Sequence, residues 1–414
     1  MLKNRIIEYE LFRAILSNDV YVLHPNLSAS DREQEWNSHP IVAKFLDTTV
    51  NTNRLYGNFV IHELYLENNT DKSVPETHIV IIHGFMAALG YFLKNVEALI
   101  KSKPGVRLHV IDLPGFGNSS RPQFPTEFLN EPPTTHAKIN QIIDVENWFI
   151  DQIENWRIKR NIPSFKLIGH SMGAYLSSCY LMKYNNGLTN NIVEEFIVVS
   201  PMGTESSSNS LISDKKYEFN THEAAGDPFQ ELDVFHSNSA IEELWNELGR
   251  PKFPQNSVLR TLWRFHVSPF QVLQYFGPFY SKILSYWSFR RFRNLKNAEL
   301  ILKLHNYSYS IFNQYTGSGE LAITKFISCE VLAKLPLGDR GFVDYLTKNK
   351  VKTLWLYGDK DWMNSKGGKY IADKLKSIDP QIAEFKIIDN AGHHIYLDNP
   401  DRFNKEAINY FNLL

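Results

Sequence analysis

The sequence predicts an α/β fold with a mostly parallel central sheet flanked by helices. Two observations lead to this prediction. Short, wholly apolar segments suit strands that are buried on both faces, and segments with helical spacing of apolar residues lie between them. The alternation stops at about residue 203 and resumes at about residue 351, which indicates one long insertion in an otherwise regular chain.

The individual elements follow from the apolar pattern. Strands are predicted at 58–66, 78–83, 106–112, 165–169, 195–200, 351–357 and 384–389. Helices are predicted at 90–101, 134–160, 174–184 and 366–377, with a last helix that begins at Pro400. These elements divide the chain into an N-terminal extension (1–54), the first part of the core (55–202), a helical cap insertion (203–350) and the second part of the core (351–414).

The composition excludes several classes of protein. Hydrophobic residues make up 43% of the 414 residues and charged residues 21%, close to globular averages, so a mainly disordered chain is excluded. The net charge of −1 gives no reason to expect a nucleic-acid partner. Cys179 and Cys329 are too few for a disulfide framework. No apolar run approaches the roughly 18 residues that a membrane span needs.

The N-terminal residues 2–16 have an amphipathic helical pattern. Glu8 and Glu10 interrupt its apolar residues, which argues against a signal peptide and against a mitochondrial presequence. The pattern predicts an ordinary surface helix. A weak targeting or membrane-touching helix is the alternative.

A candidate nucleophile lies between the fourth predicted strand and the helix that follows it. The segment Gly169-His-Ser-Met-Gly173 matches the pattern G-x-S-x-G. In a sharp strand-to-helix turn, small residues on both sides let the serine hydroxyl project above the sheet. The helix N-terminus behind it favours developing negative charge. This context predicts that Ser171 is a nucleophile rather than part of a glycine-rich turn.

A serine nucleophile needs a base and an acid, which follow it in the order acid then base in folds of this kind. Asp361 has the usual spacing from Gly358 and is the predicted acid, with Asp359 as the alternative. His393, directly after Ala-Gly, is the predicted base, and His394 is then a pocket or packing histidine. Adjacent histidines lack metal-ligand spacing and no H-E-x-x-H occurs, so neither a metal nor another cofactor is expected.

The oxyanion of an acyl-transfer intermediate needs two positioned N–H donors. The amide of Phe85, just after the second predicted strand, and the amide of Met172, just after Ser171, are the candidates. The segment Asp112-Leu-Pro-Gly-Phe-Gly117 lacks the third glycine of a dinucleotide fingerprint and is predicted to be a structural turn.

Together, these motifs resemble the α/β-hydrolase superfamily: His83-Gly-Phe, Asp112-Leu-Pro-Gly-Phe-Gly, Gly169-His-Ser-Met-Gly, Gly358-Asp-Lys-Asp and Ala391-Gly-His-His. The ending Gly-His-His-Ile-Tyr-Leu-Asp-Asn-Pro resembles one lipid-metabolising branch. That branch holds a fungal cardiolipin-specific deacylase, a fungal lysophosphatidic acid acyltransferase, an animal N-acyl-phospholipid lipase and a catalytically inactive coactivator of a triglyceride lipase. The coactivator lacks the nucleophile, so the presence of Ser171 implies an active enzyme.

The resemblance also covers an H-x₄-D spacing, from His393 to Asp398, that this branch associates with acyl transfer to lysophospholipids. The alternative is that Asp398 caps the last helix. By resemblance, the expected location is peripheral to a mitochondrial membrane, with the cytoplasm or a lipid-droplet or endoplasmic-reticulum surface as alternatives.

The insertion has an uneven charge distribution. Ten acidic residues lie between 205 and 247, whereas 250–296 contains nine basic residues, twelve aromatic residues and no acid. Basic and aromatic residues together suit the interface of an anionic membrane, and Arg290, Arg291 and Arg293 are the predicted head-group contacts. The alternative is that the aromatics form the core of the cap and the bases pair with its acidic half.

The sequence therefore predicts a serine hydrolase that deacylates a phospholipid, with cardiolipin as the leading substrate by resemblance. The expected partners are the phospholipid and an anionic membrane surface, without nucleic acid or metal. Acyl-CoA-dependent acyl transfer to a lysophospholipid is the near alternative. A non-catalytic lipid-binding coactivator is the alternative from another class.

Overall fold

The computed structural model describes residues 2–51, 58–185, 191–207, 209–212, 261–263, 265, 267–268, 271–272, 279–292, 295, 297–312, 317–329 and 331–414. Within these ranges no helix is long and apolar enough to cross a bilayer.

One central sheet organises the described chain. Its nine strands are β1 (Tyr21–Val22), β2 (Ile41–Asn51), β3 (Asn58–Asn68), β4 (Thr77–Ile82), β5 (Val106–Ile111), β6 (Lys166–His170), β7 (Glu195–Val199), β8 (Lys352–Gly358) and β9 (Ala383–Ile388). Their order is β1-β2-β3-β5-β4-β6-β7-β8-β9. Six neighbouring strands are parallel to one another: β5, β4, β6, β7, β8 and β9. The strand β3 is antiparallel to both of its neighbours, β2 and β5. The predicted mostly parallel α/β sheet is confirmed.

Helices cover both faces of the sheet. They are α1 (Leu2–Arg13), α2 (Ala29–Ser38), α3 (Val96–Lys101), α4 (Thr126–Leu129), α5 (Thr135–Lys159), α6 (Met172–Tyr184), α7 (Tyr280–Phe292), α8 (Ala298–Phe312), α9 (Ile323–Phe326), α10 (Phe342–Asn349), α11 (Ser365–Ile378), α12 (Ile395–Asp398) and α13 (Pro400–Tyr410). The helix predicted at 90–101 is instead a 3₁₀ turn at Leu89–Phe92 followed by α3.

Two strands lie within residues 1–54, which the sequence analysis assigned to an N-terminal extension. β2 pairs with β3 along its whole length, from Ile41 opposite Asn68 to Asn51 opposite Asn58. β1 continues the sheet beyond β2 as the outermost strand. Because its middle residues, Lys44 to Thr49, are only partly buried or exposed, β2 lacks the unbroken apolar run that marks the other strands.

The sheet separates two hydrophobic cores. One face packs against α5, α6, α10 and α11, with Trp156 and Tyr175 among its largest buried side chains. The other face packs against α1, α3 and α13, and also against α7 and α8 from the insertion. Leu11 and Phe12 of α1 are fully buried there, and α1 contacts α8 directly. The N-terminal helix is therefore part of the second core.

A buried charged cluster anchors α1 to the sheet. His62 on β3 has its Nε2 atom 2.7 Å from Glu8 Oε2 and its Nδ1 atom 3.0 Å from Asp47 Oδ1. Burial alone lowers the pKa of His62, but the carboxylates of Glu8 and Asp47 outweigh it and raise the pKa to about 9. His62 is therefore a buried imidazolium at neutral pH, held between two carboxylates.

We expect Glu8→Gln to lower the free energy of unfolding by about 1–3 kcal/mol at pH 6, because it removes a charged partner from a buried imidazolium. The folded-state pKa of His62 is raised, so this contribution is complete below about pH 6.5 and disappears as the pH rises to about 9. Urea denaturation at pH 6 and pH 9 measures it. The exposed neighbour change Glu10→Gln is the control, and equal effects of the two changes at pH 6 would contradict the buried pair.

Candidate active site

Ser171 occupies the sharp turn between β6 and α6. Its backbone has φ 53° and ψ −119°, a region that residues other than glycine rarely adopt. The Ser171 N–H donates to the carbonyl of Val199 at 2.9 Å, and its own carbonyl accepts from Met202 N–H at 3.3 Å. These contacts with the segment at the end of β7 hold the strained turn at the carboxyl edge of the sheet. The residue is only 7% exposed.

The glycines of the motif let other parts of the chain approach this turn. A Cβ atom at Gly173 would lie 2.3 Å from the carbonyl oxygen of His83, and one at Gly169 would lie 2.8 Å from Ala174 Cα. Both distances are far below van der Waals contact. The two positions therefore need glycine because α6 packs tightly against the end of β4 and against its own preceding strand.

The predicted base and acid are in contact. His393, in the loop between β9 and α12, has its Nδ1 atom 3.1 Å from Asp361 Oδ1. Their side chains are 5% and 1% exposed. If the carboxylate accepts the Nδ1 proton, the other ring nitrogen, Nε2, is left as a proton acceptor. This is the tautomer that a general base toward a serine hydroxyl requires.

Asp359 has a different contact. Its exposed side chain accepts a hydrogen bond from the backbone N–H of Ala391 at 2.9 Å, which fixes the loop that carries His393. The same loop packs against the end of β8, where a Cβ atom at Gly358 would lie 2.1 Å from the Ala391 carbonyl oxygen. Of the two candidate acids, Asp361 is therefore the one that contacts the imidazole.

The histidine of the nucleophile motif connects the two halves of the site. His170 Nε2 lies 2.9 Å from the carbonyl oxygen of His393, and the two rings are 4.7 Å apart. Burial, and then the neighbouring His393 and His394, lower the pKa of His170 well below its usual value. A neutral His170 donates its Nε2 proton to the His393 carbonyl and holds the base beside the Ser171 turn. This role of His170 was not predicted from the sequence, although its position next to the nucleophile is a signal.

The loop after β4 lies directly against the nucleophile. A Cβ atom at Gly84 would be 2.8 Å from Ser171 Cβ, so Phe85 immediately follows a residue in contact with the serine. His83 Nε2 accepts the N–H of Leu113 at 3.0 Å, and burial lowers the pKa of His83 to about 4, which keeps it a neutral acceptor. The other predicted donor, the amide of Met172, belongs to the first turn of α6, where helix N–H groups lack an intrahelical acceptor.

Asp398 does not cap the last helix. Asn399 does so, by accepting the N–H of Arg402 at 3.2 Å. Asp398 instead accepts the N–H of Gly392 through Oδ2 at 2.9 Å, and its Oδ1 atom is 3.1 Å from Arg291 Nη1. Asp398 therefore supports the loop that carries His393, and it brings a residue of the insertion into the site.

The prediction that Arg291 contacts a membrane is wrong. Its side chain is 6% exposed, and it forms a buried ion pair with Asp398, whose side chain is 2% exposed. The helix α7 turns this face toward the second core, because Leu284 and Phe292 on α7 are buried there. Arg290 is partly buried and donates to the hydroxyl of Tyr286 at 2.7 Å. Arg293 lies outside the described residues.

One group of side chains in the described chain has metal-ligand spacing: Glu8, His62 and Asp112. Both ring nitrogens of His62 already face carboxylates, those of Glu8 and Asp47. Both Asp112 oxygens accept backbone N–H groups, at 2.8 and 2.7 Å. A metal would have to displace these bonds, so the group is a structural hydrogen-bond network that joins α1, β3 and the turn after β5.

The sheet order and the serine turn at the carboxyl end of β6 define the α/β-hydrolase class of fold. A family model described as the alpha/beta hydrolase fold matches residues 77–400, and the chain belongs to this family.

Several curated proteins are similar to the chain. It is 28% identical over 364 residues to Protein ECM18 of Saccharomyces cerevisiae, covering 83% of this chain and 72% of that one. It is 25% identical to a probable 1-acylglycerol-3-phosphate O-acyltransferase of Oryza sativa, covering 81% of this chain and 66% of that one. It is 28% identical to a (lyso)-N-acylphosphatidylethanolamine lipase of Bos taurus, covering 79% of this chain and 77% of that one. The chain spans about two thirds to three quarters of the length of these relatives.

We expect Arg291→Met to destabilise the protein by about 3 kcal/mol, because it removes the buried ion pair of Arg291 with Asp398. Arg290→Met on the same helix should cost less than about 1 kcal/mol, since its charge is partly exposed. Chemical denaturation of both variants measures the difference. Equal stability of the two variants would contradict the larger contribution expected of the Arg291–Asp398 pair.

Proposed function

We propose that the protein is a serine esterase that removes an acyl chain from a phospholipid. The observation that carries this proposal is the contact of His393 with Asp361, together with the His170 bridge that holds His393 beside the strained turn of Ser171. A serine, an imidazole and a buried carboxylate in this arrangement support nucleophilic catalysis.

In the proposed reaction, Ser171 Oγ attacks the carbonyl carbon of the ester while His393 Nε2 accepts the hydroxyl proton. His393 then gives this proton to the oxygen of the leaving alcohol, and the acyl group stays on Ser171. A water molecule attacks the acyl-enzyme, His393 accepts its proton, and a fatty acid leaves. Asp361 orients the ring and stabilises the imidazolium in both steps.

The negative charge of the tetrahedral intermediate needs donors that are in place before the reaction. We assign this role to the amides of Phe85 and Met172. The close approach of Gly84 to Ser171 supports the first assignment, and the position of Met172 at the start of α6 supports the second. The dipole of α6 adds a partial positive charge at the same point.

The names of the relatives support a phospholipid as the substrate class, since the bovine and rice relatives are named for acylated glycerophospholipids. The resemblance to the lipid-metabolising branch that holds a cardiolipin-specific deacylase makes cardiolipin the first substrate to test. We further propose that the reaction occurs at an anionic membrane surface, for which mitochondrial membranes are the leading candidate. Exposed Phe265 and Phe279, which are 75% and 66% exposed, and the nearby exposed Lys282 support a membrane-facing part of the insertion.

Acyl transfer is the second candidate, because the rice relative is named an acyltransferase and Asp398 of the H-x₄-D spacing contacts the histidine loop. In this reaction an acyl-CoA thioester acylates Ser171, and a lysophospholipid hydroxyl takes the place of water.

Lipid analysis of products from purified protein, given mixed phospholipid vesicles with and without acyl-CoA, separates hydrolysis from acyl transfer. Repeating the assay at low and high salt tests the anionic surface, since salt screens exposed charges.

We expect a fluorophosphonate probe to label Ser171, because an activated serine attacks the phosphorus as it would an ester carbonyl. Gel-based detection of wild-type protein and Ser171→Ala measures this, with Ser177→Ala, another buried serine on α6, as the control. Equal labelling of wild-type protein and Ser171→Ala would end the esterase proposal. Full biological activity of Ser171→Ala would favour the non-catalytic coactivator.

We expect Asp361→Asn to lower turnover of a short soluble ester by several orders of magnitude, because an amide no longer fixes the required tautomer of His393. Asp359→Asn should have a much smaller effect, since its carboxylate contacts only the Ala391 backbone among the described residues. Ester hydrolysis by the two variants, with circular dichroism to show that both are folded, measures this difference. A larger loss in Asp359→Asn would reverse the assignment of the acid.

A further inference from the structure

A cationic cavity lies between α5 and residues in and after α9, among them Lys325 and Lys334. It has a volume of about 210 Å³, and its lining includes Lys138, Lys325, Lys334, Glu131, Gln141 and Asn209. Since a water molecule takes about 30 Å³ of liquid volume, a tetrahedral anion fits in this space. The cavity shares none of its lining residues with the proposed catalytic group.

Lys325 is the unusual member of the lining. Its side chain is 2% exposed, yet among the described residues its ammonium has only long contacts: 3.3 Å to the Asn130 carbonyl, 3.5 Å to the Leu129 carbonyl and 3.7 Å to Glu131 Oε2. Good N–H···O bonds are about 2.9 Å. Burial is the main cause that lowers the pKa of Lys325 to about 8, and the nearby charge of Lys334 lowers it further. A buried ammonium with such weak partners favours a stronger acceptor in the cavity.

The cavity also has more positive than negative charge. The lining has three lysines and one carboxylate, that of Glu131. Lys138 Nζ already forms an ion pair with Glu131 Oε1 at 2.9 Å. Lys334 donates to the carbonyl of Thr324 at 3.0 Å, so it too lacks a close carboxylate among its recorded contacts. The amides of Gln141 and Asn209 add neutral hydrogen-bonding groups to the same wall.

We propose that this cavity binds a phosphate group, with Lys325 and Lys334 as its principal cationic partners. A phosphate oxygen accepts charge-assisted hydrogen bonds from lysine, and its negative charge compensates the excess of ammonium groups. Glu131 opposes binding, because its carboxylate competes for the same lysines.

Residues next to the cavity lining lie close to the segment that contacts the turn of the nucleophile. Ala333, next to Lys334, lies against Gly203, where a Cβ atom would be 3.0 Å from Ala333 Cβ. Met202, next to Gly203, donates its N–H to the Ser171 carbonyl. The phosphate in this proposal is either the head group of a phospholipid substrate or free phosphate. The head-group form rests on the proposed esterase function, whereas binding of free phosphate does not.

Calorimetric titration of the full chain with inorganic phosphate and with dihexanoyl phosphatidic acid tests the site. The titrations with the lipid use protein that carries Ser171→Ala, so that hydrolysis of the lipid does not disturb the binding measurement. We expect Lys325→Gln and Lys334→Gln each to weaken binding about tenfold or more, and Glu131→Gln to strengthen it about threefold or more. Lys374→Gln, an exposed lysine of α11, is the control and should bind as the parent does.

Loss of phosphate binding in both lysine variants supports the site with free phosphate as a ligand, and a loss confined to the phospholipid supports the head-group form. If Lys325→Gln does not fold, Lys334→Gln and Glu131→Gln decide. No binding of either probe, or equal binding in the lysine variants and in the Lys374→Gln control, overturns the proposal. Fluorophosphonate labelling of Ser171 is an independent readout, so failure of the esterase and failure of the phosphate site are distinguishable.

Discussion

The backbone turn at Ser171 is the constraint on which the rest of the site depends. A serine at φ 53° costs of order 1–3 kcal/mol and persists only where surrounding contacts over-determine it. Here those contacts come from the end of β7, and from close approaches that glycine allows at positions 84, 169 and 173. Because parallel strands end at one edge of the sheet, the loops after β4, β8 and β9 reach the same point. The fold therefore gathers residues that are far apart in sequence around one strained hydroxyl.

Buried charge is the second organising feature. A carboxylate or a guanidinium away from water is tolerated only when it is paired and hydrogen-bonded. Asp398 meets this requirement by binding Gly392 N–H and Arg291 at once. The pair joins a helix of the insertion to the residue before His393, so the position of the base depends on how α7 is packed. His62, held between Glu8 and Asp47, meets the same requirement where α1 packs on β3.

Much of the core was predictable because local patterns determine it. Apolar runs gave the seven predicted strands to within one or two residues, and the contact of Asp361 with His393 agrees with a spacing argument. β2 was missed because its partly exposed middle residues break the apolar pattern. The role of Arg291 was missed because its partner is 107 residues away. A segment rich in aromatic and basic residues can face a membrane, or it can pack in a core and bury its basic residues in ion pairs. The local sequence is the same in both cases, and only tertiary packing distinguishes them.

The Arg291–Asp398 pair also limits how independent the insertion can be. If residues 203–350 were removed, Asp398 would keep the Gly392 N–H but lose its recorded cationic partner, and a buried carboxylate in that state either ionises at high cost or becomes protonated. A protonated Asp398 accepts a weaker hydrogen bond, so the loop that carries His393 would loosen. The same deletion would also expose the apolar face of α1, which packs against α8. The helices α7 and α8 of the insertion therefore belong to the folded core, and deleting the insertion does not separate substrate recognition from catalysis. Point changes on its surface, which leave Arg291 and the α8 face intact, are the way to separate them.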